Sequence, residues 1–335
     1  MQRCLQLAQL GNGYVAPNPM VGAVLVYKDV IIGEGYHARY GEAHAEVNCL
    51  NSVKEADKHL IEQATLYVSL EPCAHHGKTP PCTDLIIKHK IPKVVIANID
   101  TFDAVNGKGI QNLSANNIEV TTGVLADEAK LLNQHFFYAH QHKRPYITLK
   151  FAQSNDGYIG VRHQEIAISN AAAKRYTHLL RSQHQSILVG KNTVLSDNPQ
   201  LTIRYGNGKN PTRIIIGKAS DFPNDFTIFN SDASTIFLLN EEKNNITIDE
   251  IGELLYHQNI ISVLVEGGRA TLQQFIDAGF WNEAHVITSN ENINTMYATS
   301  ERIKTPTLIG SIINKIELEN NFVTIYKNPD DIFIA

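Results

Sequence analysis

The sequence predicts an α/β protein made of two consecutive domains. Three observations carry that expectation. The chain has 335 residues, against roughly 100–200 for a usual domain. Short apolar, β-branched runs alternate with amphipathic stretches, the order that gives sheets covered by helices. A polar run ending in proline, His140-Gln141-His142-Lys143-Arg144-Pro145, interrupts that alternation near the middle. It places a linker there and divides the chain into residues 1–144 and 145–335.

The elements of the first half follow in order. Residues 3–11 read as a helix stopped by Gly11 and Gly13. Val21–Val26 and Val30–Gly33 flank Lys28-Asp29 and predict a hairpin. Ala43–Val53 reads as a helix, Thr65–Leu70 as a strand, Thr83–His89 as a helix and Lys93–Ala97 as a strand. Gly109–Asn116 and Glu119–Thr121 continue the alternation, and Ala129, Leu132, Phe136 and Tyr138 give Asp127–His140 the spacing of one helix. In the second half, strands are predicted at Tyr146–Phe151, Ser186–Val189, Thr212–Ile216, Thr235–Leu239, Ser262–Val265 and Glu283–Thr288. Helices are predicted at Asn170–Ser182, Ile248–His257 and Thr271–Ala278. Asn207–Asn210, Asn244-Asn245 and Asn290–Asn294 read as surface loops.

Composition excludes several classes. With 43% hydrophobic and 19% charged residues, the chain can bury a core and is not disordered. A net charge of −5 argues against a protein that coats nucleic acid or anionic membrane. No apolar run approaches the roughly 20 residues of a membrane span, and the first residues lack a signal-peptide core. Four cysteines in so long a chain do not make a disulfide scaffold. The expectation is a cytoplasmic protein that acts on a small molecule, without nucleic-acid or membrane partners; a homo-oligomer stays open.

The strongest chemical signal is His44-Ala45-Glu46, followed by Pro72-Cys73 and Cys82. One imidazole and two thiolates make three zinc ligands and leave a fourth position for water, as a catalytic zinc requires. Such a zinc acidifies its water toward a pKa of about 7. Glu46, two residues from His44, is then free to shuttle protons, the division of labour found in zinc nucleobase deaminases. Cys82 opens a predicted helix, whose positive end favours a thiolate. His-Ala-Glu alone is usually a solvated helix face, and two cysteines nine apart are usually unrelated. The joint pattern is far rarer. Cys4 and Cys49 lie on apolar helix faces and read as core thiols.

Four segments sharpen the reading: Pro17-Asn18-Pro19-Met20-Val21-Gly22-Ala23-Val24, Gly33-Glu34-Gly35-Tyr36-His37, Gly41-Glu42-Ala43-His44-Ala45-Glu46, and Glu71-Pro72-Cys73-Ala74-His75-His76-Gly77-Lys78-Thr79-Pro80-Pro81-Cys82. Together they closely resemble the bacterial bifunctional riboflavin-biosynthesis deaminase–reductase family. The eight residues between the cysteines are specific, because most zinc nucleobase deaminases place only two there. The resemblance implies a cytidine-deaminase-like three-layer α/β/α domain. Its reaction would be hydrolysis of the 2-amino group of 2,5-diamino-6-ribosylamino-4(3H)-pyrimidinone 5′-phosphate. It further implies zinc ligands His44, Cys73 and Cys82, Glu46 as proton shuttle, and Asn18, His37, Lys78 and Asp100 as substrate contacts, with Lys78 on the phosphate. His75 and His76 read as loop residues, the ligand set being complete without them. Downstream the chain departs from the family: Phe102 stands where a second polar contact is usual, and Asn106 is the candidate substitute.

The second half lacks the Gly-x-Gly-x-x-Gly dinucleotide fingerprint. It has Val263-Leu264-Val265-Glu266-Gly267-Gly268, where two glycines let backbone N–H groups approach a pyrophosphate. Alone, that pattern is most often a tight turn. With Leu149–Gly157, Ile187–Val194 and Asp197–Arg204, it resembles the reductase half of the same family. The resemblance implies a dihydrofolate-reductase-like α/β domain that uses NADPH to reduce the ribosyl group to ribityl. Lys150, Arg181, Leu201, Arg204 and Glu266 would line the substrate site. Arg181 and Arg204 suit a phosphate, though their default reading is solvated surface. Ala152, Thr193, Asp197, Gly267 and Gly268 would contact NADPH, and Lys150 or a water would donate the proton. Here too the chain departs: Ala167-Ile168-Ser169-Asn170 replaces Trp-Ile-Thr-Ser, and residues 288–299 are Asn-rich where Pro-x-x-x-Gly-Gly is usual.

Two competing readings have less in their favour. A polynucleotide (tRNA) adenosine deaminase with an accessory domain would carry Pro-Cys-x-x-Cys and a basic surface, and this chain has neither. A deaminase with a non-catalytic NADPH-binding domain has only the late-loop departures in its favour.

Overall fold

The computed structural model describes all residues except 75–79, 102–105, 163, 165, 298–299 and 332–335. The chain falls into two compact units, Met1–His142 and Lys143–Ala335.

The first unit runs α1 (Gln2–Gln9), β1 (Gly22–Tyr27), β2 (Val30–Tyr36), α2 (Ala45–Asn51), β3 (Thr65–Leu70), α3 (Cys82–Lys88), β4 (Lys93–Asn98), α4 (Lys108–Ala115), β5 (Glu119–Thr121), α5 (Ala126–Leu132) and α6 (Gln134–His142). A stretch of 3₁₀ helix, Glu55–Gln63, joins α2 to β3. The sheet order is β2-β1-β3-β4-β5. β1 is antiparallel to both neighbours, and β3, β4 and β5 are parallel. Period-2 alternation gives each strand two apolar faces. Ala23, Leu25, Leu66, Val68, Val94 and Ile96 pack with Cys49, Ile86 and Leu113 of α2, α3 and α4. On the opposite face, Val24 meets Cys4 and Leu7 of α1, and Ala97 meets Leu5 and Ala129 of α1 and α5. Three layers result, as expected. The approach of α2 to β2 is close enough that a Cβ on Gly35 would lie 2.2 Å from the backbone N of Cys49.

The second unit runs β6 (Tyr146–Gln153), β7 (Tyr158–Val161), α7 (Ala171–Gln183), β8 (Ser186–Gly190), α8 (Lys191–Asp197), β9 (Thr212–Ile216), β10 (Thr235–Phe237), α9 (Ile248–His257), β11 (Ser262–Val265), α10 (Arg269–Asp277), β12 (Glu283–Ser289), α11 (Ile293–Met296), β13 (Arg302–Lys304), β14 (Ser311–Leu318) and β15 (Asn321–Lys327). The main sheet is ordered β10-β9-β8-β11-β6-β12-β15-β14. It is parallel as far as β12 and antiparallel beyond. Both faces of the parallel part are covered, by α9 and α10 on one side and by α7 and α8 on the other, as buried parallel strands require.

Several elements differ from expectation. The helix expected over Asp127–His140 is two helices, broken at Asn133. The Asn133 amide clasps the Met20 backbone from both sides, accepting from its N–H and donating to its carbonyl, each at 2.8 Å. The polar stretch expected as linker is helical as far as His142. α8 and the strands β7, β13, β14 and β15 were not expected. The Asn-rich stretch from 290 contains the short α11, where the Asp156 carboxylate accepts the N–H groups of Ile293 and Asn294 at 3.0 and 2.7 Å.

Candidate active sites

In the first unit, the candidate ligands come from three chain ends. His44 is the N-cap residue of α2, Cys73 follows β3 through Glu71-Pro72, and Cys82 opens α3. Parallel strands deliver their following loops to one edge of the sheet, which is why residues so far apart in sequence converge. His44 Nδ1 lies 3.6 Å from Cys73 Sγ and 3.4 Å from Cys82 Sγ, and one donor atom from each residue lies within 4.8 Å of the others. A tetrahedral zinc with Zn–S of about 2.3 Å and Zn–N of about 2.0 Å requires an S···N edge of roughly 3.6 Å. The donor set therefore fits zinc both in chemistry and in size. The Cys82 N–H donates to Cys73 Sγ at 3.3 Å. The Cys82 thiol and the His44 ring also donate to this sulfur and draw the Cys73 thiol well below its usual range, against the opposing effect of burial.

Glu46, in the first turn of α2, is 3% exposed. Burial raises its carboxyl to about 7, and the Cys73 charge acts in the same direction. Asn18 and His37 are also brought together. The His37 ring is held by the Ala43 carbonyl at 3.1 Å, and its other nitrogen accepts from Asn18 Nδ2 at 3.2 Å. Burial lowers the His37 pKa and keeps the ring neutral. Asp100 is buried just beyond β4. Asn106 is exposed. Lys78, His75, His76 and Phe102 lie outside the described residues. Cys4 and Cys49 are fully buried, and burial raises Cys4 to about 11 and pushes Cys49 higher still.

Glu71 was not singled out from sequence. Its buried carboxylate accepts four backbone N–H groups: Asp100 at 3.2 Å and Gly107 at 2.9 Å on Oε2, and Gly109 at 2.8 Å and Ile110 at 3.2 Å on Oε1. It thus ties the entry to α4 against the Pro72-Cys73 turn. The signal available was a glutamate beside a ligand cysteine, with two glycines at a later helix start.

In the second unit, β6, β8 and β11 end side by side. Glu266, directly after β11, receives the Arg181 guanidinium as a two-pronged pair, Nε to Oε1 at 2.8 Å and Nη2 to Oε2 at 2.9 Å. Arg181 Nη1 donates to the Thr202 carbonyl at 3.0 Å. Lys150 Nζ lies 3.8 Å from Glu266 Oε2. Burial on its own would raise Glu266, but the charges of Arg181 and Lys150 outweigh it and hold the carboxylate at about 2. Burial lowers the Lys150 pKa, with Arg181 adding to the effect and Glu266 opposing it. Two cations against one anion leave this largely buried cluster net positive. Leu201 is buried in the left-handed region with φ of 54°, and Arg204 lies exposed beyond it.

The glycine turns after β8 and β11 face each other through threonines. Thr193 Oγ1 accepts the Gly268 N–H at 2.9 Å. A Cβ on Gly190 would lie 2.4 Å from Thr271 Oγ1, and one on Gly267 would lie 2.9 Å from Thr271 Cβ. The absence of a side chain at these glycines is what lets Thr271 and Thr193 pack against the two turns where α8 and α10 begin. Ala152 stands on β6 beside Ile287 of β12, and Asp197 closes α8. In the Ala167–Asn170 segment, the Asn170 side chain caps α7, accepting the Ala173 N–H at 2.8 Å.

Residues 1–98 match the cytidine and deoxycytidylate deaminase zinc-binding region, and residues 145–289 match the RibD C-terminal domain. The riboflavin biosynthesis protein RibD of Bacillus amyloliquefaciens is 40% identical over 308 residues, covering 85% of this chain and 82% of that protein. The Escherichia coli protein of that name is 35% identical over 314 residues, covering 84% of each. The crystal structure of a Thermotoga maritima diaminohydroxyphosphoribosylaminopyrimidine deaminase/5-amino-6-(5-phosphoribosylamino)uracil reductase superposes with a TM-score of 0.86 at 33% identity, covering 98% of this chain and 97% of that one. Acinetobacter baumannii RibD superposes with a TM-score of 0.88 at 29% identity, covering 97% of each chain. Among the described residues, no helix is long and apolar enough to cross a membrane.

Proposed function

The chain belongs to the RibD family of riboflavin-biosynthesis proteins, which join a zinc deaminase to an NADPH-dependent reductase, and from that premise we propose how its own residues carry the two reactions. The first unit removes the 2-amino group of 2,5-diamino-6-ribosylamino-4(3H)-pyrimidinone 5′-phosphate as ammonia. The second reduces the ribosyl group of the product to ribityl. Both steps take place in the cytoplasm and involve no nucleic acid.

The observation that carries the deaminase reading is the His44, Cys73 and Cys82 donor set beside the buried Glu46. A zinc ion held there supplies a water acidified toward a pKa of about 7. Glu46 takes the proton of the attacking water and delivers it to the departing amine. Asn18, oriented by neutral His37, presents its amide to the pyrimidine, and Lys78 meets the phosphate. In the reductase, bound NADPH supplies the electrons, and Thr193, Gly267 and Gly268 form its backbone cradle with Ala152 and Asp197 alongside. Glu266 holds the Lys150 ammonium, and Lys150, or a water beside it, gives a proton to the sugar oxygen as the ring opens. Arg204 meets the phosphate, while Arg181 serves mainly to hold Glu266.

Glu46→Gln tests the shuttle. Zinc content is expected to stay at the wild-type level, while ammonia release falls by about 10²–10⁴-fold. A variant with undiminished turnover would remove Glu46 from the mechanism.

A further inference from the structure

We propose that His178 is a positioning residue that fixes the Arg204 guanidinium for the 5′-phosphate of the reductase substrate. The inference rests on the reading that Arg204 meets that phosphate. Arg204 stands on an exposed segment, where a long arginine side chain samples many rotamers and would have to be ordered by each incoming ligand. His178 removes that freedom. The Arg204 Nε–H is directed at His178 Nε2 at 3.3 Å, and the Arg204 backbone N–H at Nδ1 at 3.2 Å.

A neutral imidazole offers one lone pair and one N–H. Both ring nitrogens face donors of Arg204, so the neutral ring accepts one of the two at a time, and the tautomer that holds the guanidinium carries its proton on Nδ1 and accepts from Arg204 Nε at Nε2. An arginine held through Nε still presents its paired Nη groups, the edge that grips a phosphate. Arg181 cannot take over this task easily, because its fork is already on Glu266.

The setting fixes the ring in turn. His178 is 3% exposed on α7, three residues before Arg181 and three after Arg175, so all three share one helix face. Tyr205 packs edge-on against His178 with centroids 5.3 Å apart, and the Arg175 guanidinium lies 6.0 Å over the Tyr205 ring. The charged groups around His178 are Arg181, Arg204 and Glu266. Burial, followed by the charges of Arg181 and Arg204, holds its pKa down at about 4. At neutral pH the ring is therefore an acceptor between two guanidiniums and not a third cation.

The test uses the full chain, with reductase turnover of the dephosphorylated substrate as folding control. His178→Leu, His178→Gln and Arg204→Ala are assayed as reductases on the phosphorylated substrate and on its dephosphorylated counterpart. His178→Leu is expected to raise KM for the phosphorylated substrate about tenfold, the worth of one hydrogen bond to a charged group. The kcat changes far less, and KM for the dephosphorylated compound does not move. His178→Gln, whose amide oxygen can accept the Nε–H, recovers most of the loss. An unchanged KM in His178→Leu, while Arg204→Ala raises it, overturns the inference. So does an equal rise for both substrates, the mark of a merely structural role. An unchanged KM in Arg204→Ala overturns instead the phosphate reading beneath it. If His178→Leu does not fold, His178→Gln is compared with His178→Asn, whose shorter amide falls short of Arg204. The asparagine variant is then expected to show the higher phosphate-specific KM, and equal values overturn the proposal.

Discussion

Replacing Cys82 with alanine empties the first unit of zinc and ends ammonia release, while NADPH oxidation by the second unit continues. Cys82 supplies one of the three donors that converge among the described residues, and its N–H also bonds to the sulfur of another, Cys73. Loss of a residue outside the ligand set typically costs about 10–100-fold in metal affinity, and loss of a ligand costs more. The side chain is small and buried, so alanine leaves the start of α3 intact. Metal analysis of the purified variant, paired with ammonia and NADPH assays on the same sample, checks the result. Retention of one zinc per chain with normal ammonia release would sink the ligand assignment. Simultaneous loss of NADPH oxidation would mean that the two sites are not independent.

Glu266→Gln has the largest expected effect in the second unit. It leaves Arg181 and Lys150 as buried cations without their counter-charge, the change that makes a broken buried ion pair expensive. The folded-state carboxylate titrates at about 2, below the ordinary value of 4.5. Its contribution is therefore complete above about pH 4.5 and fades as the pH falls toward 2. The difference corresponds to about 3 kcal/mol at neutral pH. Denaturant unfolding of the two proteins at pH 7 should differ by about that amount, and the gap should close in acid. Reductase kcat/KM should fall by about 10²-fold or more, because an oriented charge is lost from the site. Equal stability at pH 7 would show that the pair contributes nothing net.

What could be read beforehand depended on how local the signal was. His44, Cys73 and Cys82 were legible because few residue types bind zinc and their spacing is constrained. The strands at Thr65–Leu70, Thr212–Ile216 and Ser262–Val265 were legible because each is a compact apolar run bounded by polar residues. Asn133 was not legible as a helix break, since the group it clasps, Met20, lies 113 residues away. The hairpin of β14 and β15 escaped because β14 is an edge strand exposed along nearly its whole length, so its sequence carries no two-sided apolar pattern. The residue type of Arg181 suits a phosphate in the substrate site and says nothing of its partners. Its commitment to Glu266, 85 residues on, is a tertiary fact. His178 had a cue, three residues before Arg181 on one helix face, but a histidine on such a face is usually core.

The contacts of the Glu71 carboxylate with Asp100, Gly107, Gly109 and Ile110 are made with main-chain N–H groups. An anchor of that kind is indifferent to side-chain identity. At Asp100 and Ile110, exchange of one residue other than proline for another leaves its grip untouched. The glycines are the exceptions, since Gly107 sits in the left-handed region with φ of 80° and a Cβ on Gly109 would lie 2.1 Å from the Pro72 carbonyl oxygen. The entrance to α4 is therefore a fixed mount with replaceable fittings. A chain can change side chains between such anchored positions, as this sequence does relative to its family at Phe102 and Asn106, without moving the cysteine on which the chemistry turns.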